Sequence, residues 1–194
     1  MAITVLRESD NTKSRFVTPT FIDKDGNQLV SGSERPLPVL DVNHLRLHEG
    51  RAYYAYYLNG SANKLATDAS LTIAAAWASG KTPHLVFNVT IGGDAEFEIF
   101  EGSVVSGGTS FTALTRNRTL TTPSSSAILI NPTTTSNGTQ ITAEFIPGGS
   151  GGTASGGSTY SFEYVLSPLT TYMFRVTNRS SQAQMAHIMI EWYE

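Results

Sequence analysis

His44 and His48 stand four residues apart in the run HLRLH, an interval that on a helix presents two imidazoles to a single metal ion. In a strand the same interval also shares a face, but at strand rise it separates the two residues by roughly 13 Å, too far for one ion. The segment is expected to open a strand, so packing or solvent exposure is the reading carried forward, and no metal site is expected. Glu96, Glu98 and Glu101 are the carboxylates closest to a glycosidase arrangement. Glu96 and Glu98 share a strand face about 6.6–6.8 Å apart. Alternation with Phe97, Ile99 and Phe100 already accounts for them as the polar side of a strand. His84 and His187 open candidate strands with no carboxylate in sequence register, and they read as half-buried sheet residues rather than general bases.

Tyr53, Tyr54, Tyr56 and Tyr57 form an aromatic cluster that could stack on a sugar or fill an oligomer interface. Neighbours in a strand point to opposite faces, so the four cannot act as one platform. The Gly-rich run Pro147 to Ser158, PGGSGGTASGGS, lacks the Lys-Ser/Thr and the following helix of a phosphate-binding loop. It reads as a flexible hairpin tip. No nucleophile and base stand in an arrangement that would carry catalysis, so the expectation is a protein that binds and is not an enzyme, with no cofactor.

The elements that must position these residues are strands. Candidates are Leu45 to Leu58 with a bend near Gly50, Ser70 to Ala76, His84 to Ile91, Glu96 to Glu101, Ala127 to Asn131, Ile141 to Ile146, Tyr160 to Leu166, Thr171 to Asn178 and His187 to Tyr193. The period is two in Tyr160, Phe162, Tyr164 and Leu166 and again in Tyr172, Phe174 and Val176. Leu71 to Ser79, with Ala74-Ala75-Ala76, is the one stretch that competes as a helix, but it opens with strand-like alternation. Turn clusters separate the runs, which points to an all-β, jelly-roll-like antiparallel β-sandwich with the last strand built into a sheet.

Charge divides the chain. Residues 1–51 hold 14 of the 29 charged side chains, while the remaining 143 residues hold 15. The first part has only small apolar groups, Pro19, Pro36 and Pro38 oppose helix, and Asp25-Gly26 suits a tight hairpin. Residues 1–42 therefore read as an extended N-terminal arm with one possible hairpin, and residues 43–194 as the sandwich. Arg7, Arg15, Phe16, Phe21 and Ile22 are the arm's candidate contacts with a partner, because spaced apolar side chains on an extended segment can fill pockets beside a sheet edge.

Overall composition narrows the function classes. Charged residues are 15% of the chain, against about 25% in an average domain, and 24 Thr with 21 Ser supply the remaining polarity. A net charge of −3 leaves no basic stripe for nucleic acid. There is no cysteine for a disulfide or thiolate site. The first ten residues lack the apolar core of a signal peptide, and no run approaches the about 20 apolar residues that span a bilayer, so no membrane partner is expected. The five Asn-X-Ser/Thr triplets, at Asn59, Asn88, Asn117, Asn137 and Asn178, are those a Ser/Thr-rich chain generates by chance.

Several motifs in order, namely HLRLHEGRAY (44–53), EIFEGSVVSGG (98–108), Asn117-Arg118, Asn131-Pro132 with Ser136 to Thr139, VLSPLTTYMFRVT (165–177) and the terminal Glu191-Trp192-Tyr193-Glu194, resemble a group of tailed-bacteriophage virion proteins of the head-decoration, or cement, type. The resemblance covers roughly residues 41–194. It implies a jelly-roll-like sandwich made in the host cytoplasm and attached to the outer surface of the virion capsid. The expected partners are the major capsid protein and the chain itself, with a trimer favoured over a dimer. The alternative from another class is a carbohydrate- or receptor-binding sandwich of a tail fibre or baseplate, in which the Tyr cluster or the loops would meet glycans.

Overall fold

The computed structural model describes residues 21–22, 28–29, 42–148, 156–159 and 163–194. By backbone contacts the chain divides into two units, residues 1–41 and 42–194. In the first, β1 (Phe21–Ile22) pairs antiparallel with β2 (Gln28–Leu29), the two segments that flank the turn expected at Asp25-Gly26. The turn residues, like Arg7, Arg15 and Phe16, lie outside the described residues.

The second unit is an all-β sandwich. After α1 (Val42–His48), its long strands are β3 (Ala52–Asn59), β4 (Ser70–Trp77), β5 (His84–Ile91) and β6 (Ala95–Glu101). Shorter strands follow: β7 (Val104–Ser106), β8 (Thr109–Phe111), β9 (Leu114–Thr115), β10 (Ser126–Ile130) and β11 (Thr133–Ser136). The remainder are β12 (Thr139–Ile146), β13 (Gly156–Thr159), β14 (Tyr164–Val165), β15 (Tyr172–Asn178) and β16 (Ala186–Tyr193). One sheet runs β12-β6-β15-β4-β10-β8 and the other β13-β5-β16-β3-β9, with β14 also on β5. Successive long strands β3, β4, β5 and β6 alternate between the sheets. The last strand, β16, sits between β5 and β3, inside its sheet as the sequence led us to expect.

Period two sets the core. Leu85, Phe87, Val89 and Ile91 of β5 face Phe97 and Ile99 of β6, and Phe87 and Phe97 pack with ring centroids 4.7 Å apart. Trp77 of β4 meets Trp192 of β16 edge to face at 5.6 Å, joining the two sheets at their other side. Ala74-Ala75-Ala76 is strand, not helix. Ala75 points into the core, while Ala74 shares the outer face with the fully buried Met173. The small β7–β11 sheet supplies part of the cover there, with Thr134 Oγ1 3.3 Å from Met173 Sδ. Its start is fixed by Asn131, at φ 46°, whose N–H donates to the Thr72 carbonyl at 2.8 Å while its Oδ1 accepts from Thr72 N at 2.9 Å. Asn tolerates that left-handed backbone better than most residues.

Three expectations need correction. Leu45 to Leu58 is not one strand: residues 42–48 form α1, and the strand starts at Ala52. Gly50, at φ 71°, closes the helix with two reversed bonds, Gly50 N to Leu47 O at 3.1 Å and Arg51 N to Arg46 O at 2.9 Å. This is the glycine-dependent C-terminal motif that satisfies the last helical carbonyls, and Arg46 and His48 in the last turn suit the helix dipole. The Gly-rich run is not wholly a hairpin tip, because Gly156 to Thr159 forms β13 against β5; residues 149–155 lie outside the described residues. Of the strand expected over Tyr160 to Leu166, Tyr164–Val165 is strand, Glu163 and Leu166 are not, and residues 160–162 are outside the described residues.

Candidate interaction surfaces

Alternation along β3 parts the four tyrosines. Tyr53 is core, stacked on Trp192 with centroids 6.0 Å apart, and its hydroxyl reaches the Pro123 carbonyl at 3.4 Å. Burial raises its pKa above the ordinary tyrosine value, and the Glu194 charge adds to the effect. Tyr57 packs half-buried against the core. Tyr54 and Tyr56 face outward, stacked at 6.3 Å. Arg116 lies over the Tyr54 ring at 4.9 Å and pairs with Glu191, while Phe111 meets Tyr56 edge-on at 5.8 Å. His187 tilts against Tyr56 at 6.3 Å, and burial holds its imidazole below the ordinary value. The outer face of β3 and β16 thus carries a row from Arg116 through Tyr54 and Tyr56 to His187, which is the geometry of an aromatic stacking strip.

At one end of that sheet His84 stacks on Tyr193 with ring centroids 4.7 Å apart. Glu163 Oε2 accepts from the Tyr193 hydroxyl at 2.9 Å and lies 3.1 Å from His84 Nδ1. Burial, then Glu163, pushes the Tyr193 pKa up. The carboxylate partner of His84 is 79 residues distant, and sequence register could not have found it. A carboxylate on Nδ1 fixes ring orientation.

The glutamates of β6 are separately partnered. Glu98 pairs with Arg175 at 2.8 Å and accepts from Gln140 Nε2 at 3.0 Å, and Arg175 also lies over the Phe100 ring at 4.6 Å. Glu96 pairs with Arg179 at 2.7 Å, and Arg179 reaches Asp68 at 3.0 Å. Glu101 turns inward and accepts from the Tyr172 hydroxyl at 2.5 Å. Burial, then that bond, raises the Tyr172 pKa. Each carboxylate is therefore engaged by its own partner, Glu96 and Glu98 on the outer side of the sheet and Glu101 on the inner.

Among the described residues no group of three or more His, Asp or Glu side chains gathers in a way that could hold a metal ion. One pair does converge. On α1, His44 Nε2 and His48 Nε2 are 2.9 Å apart, so the separation expected from a strand does not hold. The triplet at Asn178 is closed to modification in the folded chain. Asn178 is fully buried, donates to the Leu65 and Gln182 carbonyls, and accepts from Ser180.

Several large exposed apolar side chains lie on edge or short strands, others on α1 and in turns. Phe145 is 66% exposed and Ile141 is also exposed, both on β12, which has a strand neighbour, β6, on one side only among the described residues. Val165 is on β14 and Val104 on β7. Tyr56 and Leu58 lie on the part of β3 beyond the two residues that β9 pairs. Leu169, 75% exposed, takes a left-handed backbone at φ 59° in the turn before β15. Comparison with protein-family models, with curated proteins and with solved structures gave no match.

Proposed function

We propose that this chain is a decoration, or cement, protein of a tailed-phage head, which binds the outside of the major capsid protein shell and reinforces it. The observation that carries the reading is the placement of exposed apolar residues on strands that have one neighbour only among the described residues, Phe145 and Ile141 of β12 above all. Soluble proteins normally blunt such edges with charge or cover them, and here a partner is the cover that fits. Residues 52–194, with 15 charged side chains in 143, suit broad, mostly neutral contacts between lattice neighbours. The alternation of β3 to β6 between the sheets favours a jelly-roll-like wiring. In this mechanism the arm, with Phe16, Phe21 and Ile22, adds contacts, and copies of the chain associate as a trimer or dimer. Weak contacts then act together at the effective concentration set by the lattice.

The Tyr54–Tyr56 strip favours a second reading, a tail-fibre or baseplate module that stacks on host glycans. Counting copies per virion and labelling their position separates the two. Decoration gives many copies spread over the head; a receptor-binding module gives a few copies at the tail and binding to host envelope sugars.

A further inference from the structure

We propose that His44 and His48 form an exposed two-histidine clamp for a divalent transition-metal ion with a preference for square-planar or octahedral geometry, Cu2+ before Ni2+. The two Nε2 atoms already face each other at 2.9 Å, with the rings near perpendicular at 76°. With metal–imidazole bonds of about 2.0–2.1 Å, that separation sets a nitrogen–metal–nitrogen angle of about 90°. This is the cis angle of a square plane or an octahedron. A tetrahedral ion would need the nitrogens about 3.3–3.4 Å apart, a change that two exposed rings can make by turning, so the preference for Cu2+ over Zn2+ comes from the affinity order. Imidazole is a ligand common to these metals, and Cu2+ stands highest in their affinity order.

The backbone that carries the pair is held at its C-terminal end. Gly50 closes the helix through Leu47 and Arg46, and Asn117 Nδ2 donates to the His48 carbonyl at 3.3 Å. Both imidazoles are exposed, so an ion can enter without opening the fold. In the metal-free pair one ring donates and the other accepts. With the ion bound, both Nε2 atoms give their lone pairs to the metal, and the proton that lay between them moves to Nδ1 of its own ring or leaves to solvent. Water, or a donor from a bound neighbour, fills the remaining positions.

The test uses the untagged full-length chain, whose four histidines are 44, 48, 84 and 187. Cu2+ is titrated by calorimetry, and the bound ion is examined by electron paramagnetic resonance. The proposal expects one Cu2+ per chain with a two-nitrogen signature, and affinity lowered at least about tenfold in both His44→Ala and His48→Ala. Zn2+ should bind more weakly, and His84→Ala should bind Cu2+ as the parent chain does. Circular dichroism checks that the variants stay folded. Absence of saturable Cu2+ uptake would overturn the proposal, as would uptake by the folded double variant equal to that of the parent.

Discussion

Burial of the His187 imidazole beside Tyr56 keeps it from taking a proton as readily as it would in the unfolded chain. As pH falls below the ordinary value near 6.5, the unfolded state therefore binds a proton that the native state does not. Stability is present above that pH, declines as pH drops toward the depressed native value, and levels off below it. His187→Gln should flatten this decline in urea-unfolding midpoints measured across the acid range. An unchanged slope would place the effect elsewhere. Arg175 offers a second test, because it supplies the opposite charge and a hydrogen bond to the buried Glu98. Arg175→Ala should cost about 1.5–3 kcal/mol in denaturant unfolding, the range for a charged hydrogen bond lost beside a buried partner. At this scale the sequence was partly readable. Alternation parted Tyr53 from Tyr54 and explained Glu96 and Glu98, whereas Glu163 beside His84 and Arg116 over Tyr54 are meetings that only the folded sheets create.

Elements with long apolar alternation announced themselves. β5, β15 and β16 lie where Leu85 to Ile91, Tyr172 to Val176 and Ile188 to Trp192 alternate, since each buries one face in the core. The short strands β7, β8, β9 and β11 were not foreseen, because runs of two to four residues have no periodic signal and are strands only through their neighbours. The helix α1 was missed even though Gly50 stood at its closing position, since Leu45 and Leu47 alternate as a strand would. The β11–β12 turn depends on Gly138, at φ 78°, where an added Cβ would run into the Glu101 carbonyl oxygen. Gly138→Ala should lower stability by at least about 1–2 kcal/mol from backbone strain alone, seen as a reduced melting temperature. Phe145→Thr tests the edge of β12 instead, because a Glu would stand opposite Glu96. At this exposed position the substitution should change stability by no more than about 0.5 kcal/mol while weakening capsid binding about tenfold or more. Unchanged binding would remove that edge from the interface.

For the whole molecule, one continuous core joins both sheets of residues 42–194. Deleting residues 1–40 should therefore leave a folded, β-rich body by circular dichroism while abolishing attachment. Loss of cooperative unfolding in the truncated chain would mean that the arm belongs to the core. Fold class was legible at this scale because turn clusters and period-two runs fill the chain from Ser70 onward. Function was less so, because the edge strands and the Tyr54–Tyr56 strip come into view only once the strands are ordered. The most direct measurement of the central claim is co-sedimentation of the full-length chain with capsids that lack it. Saturable binding at lattice-scale stoichiometry is the predicted result; no binding, or a few copies at a single vertex, would contradict it.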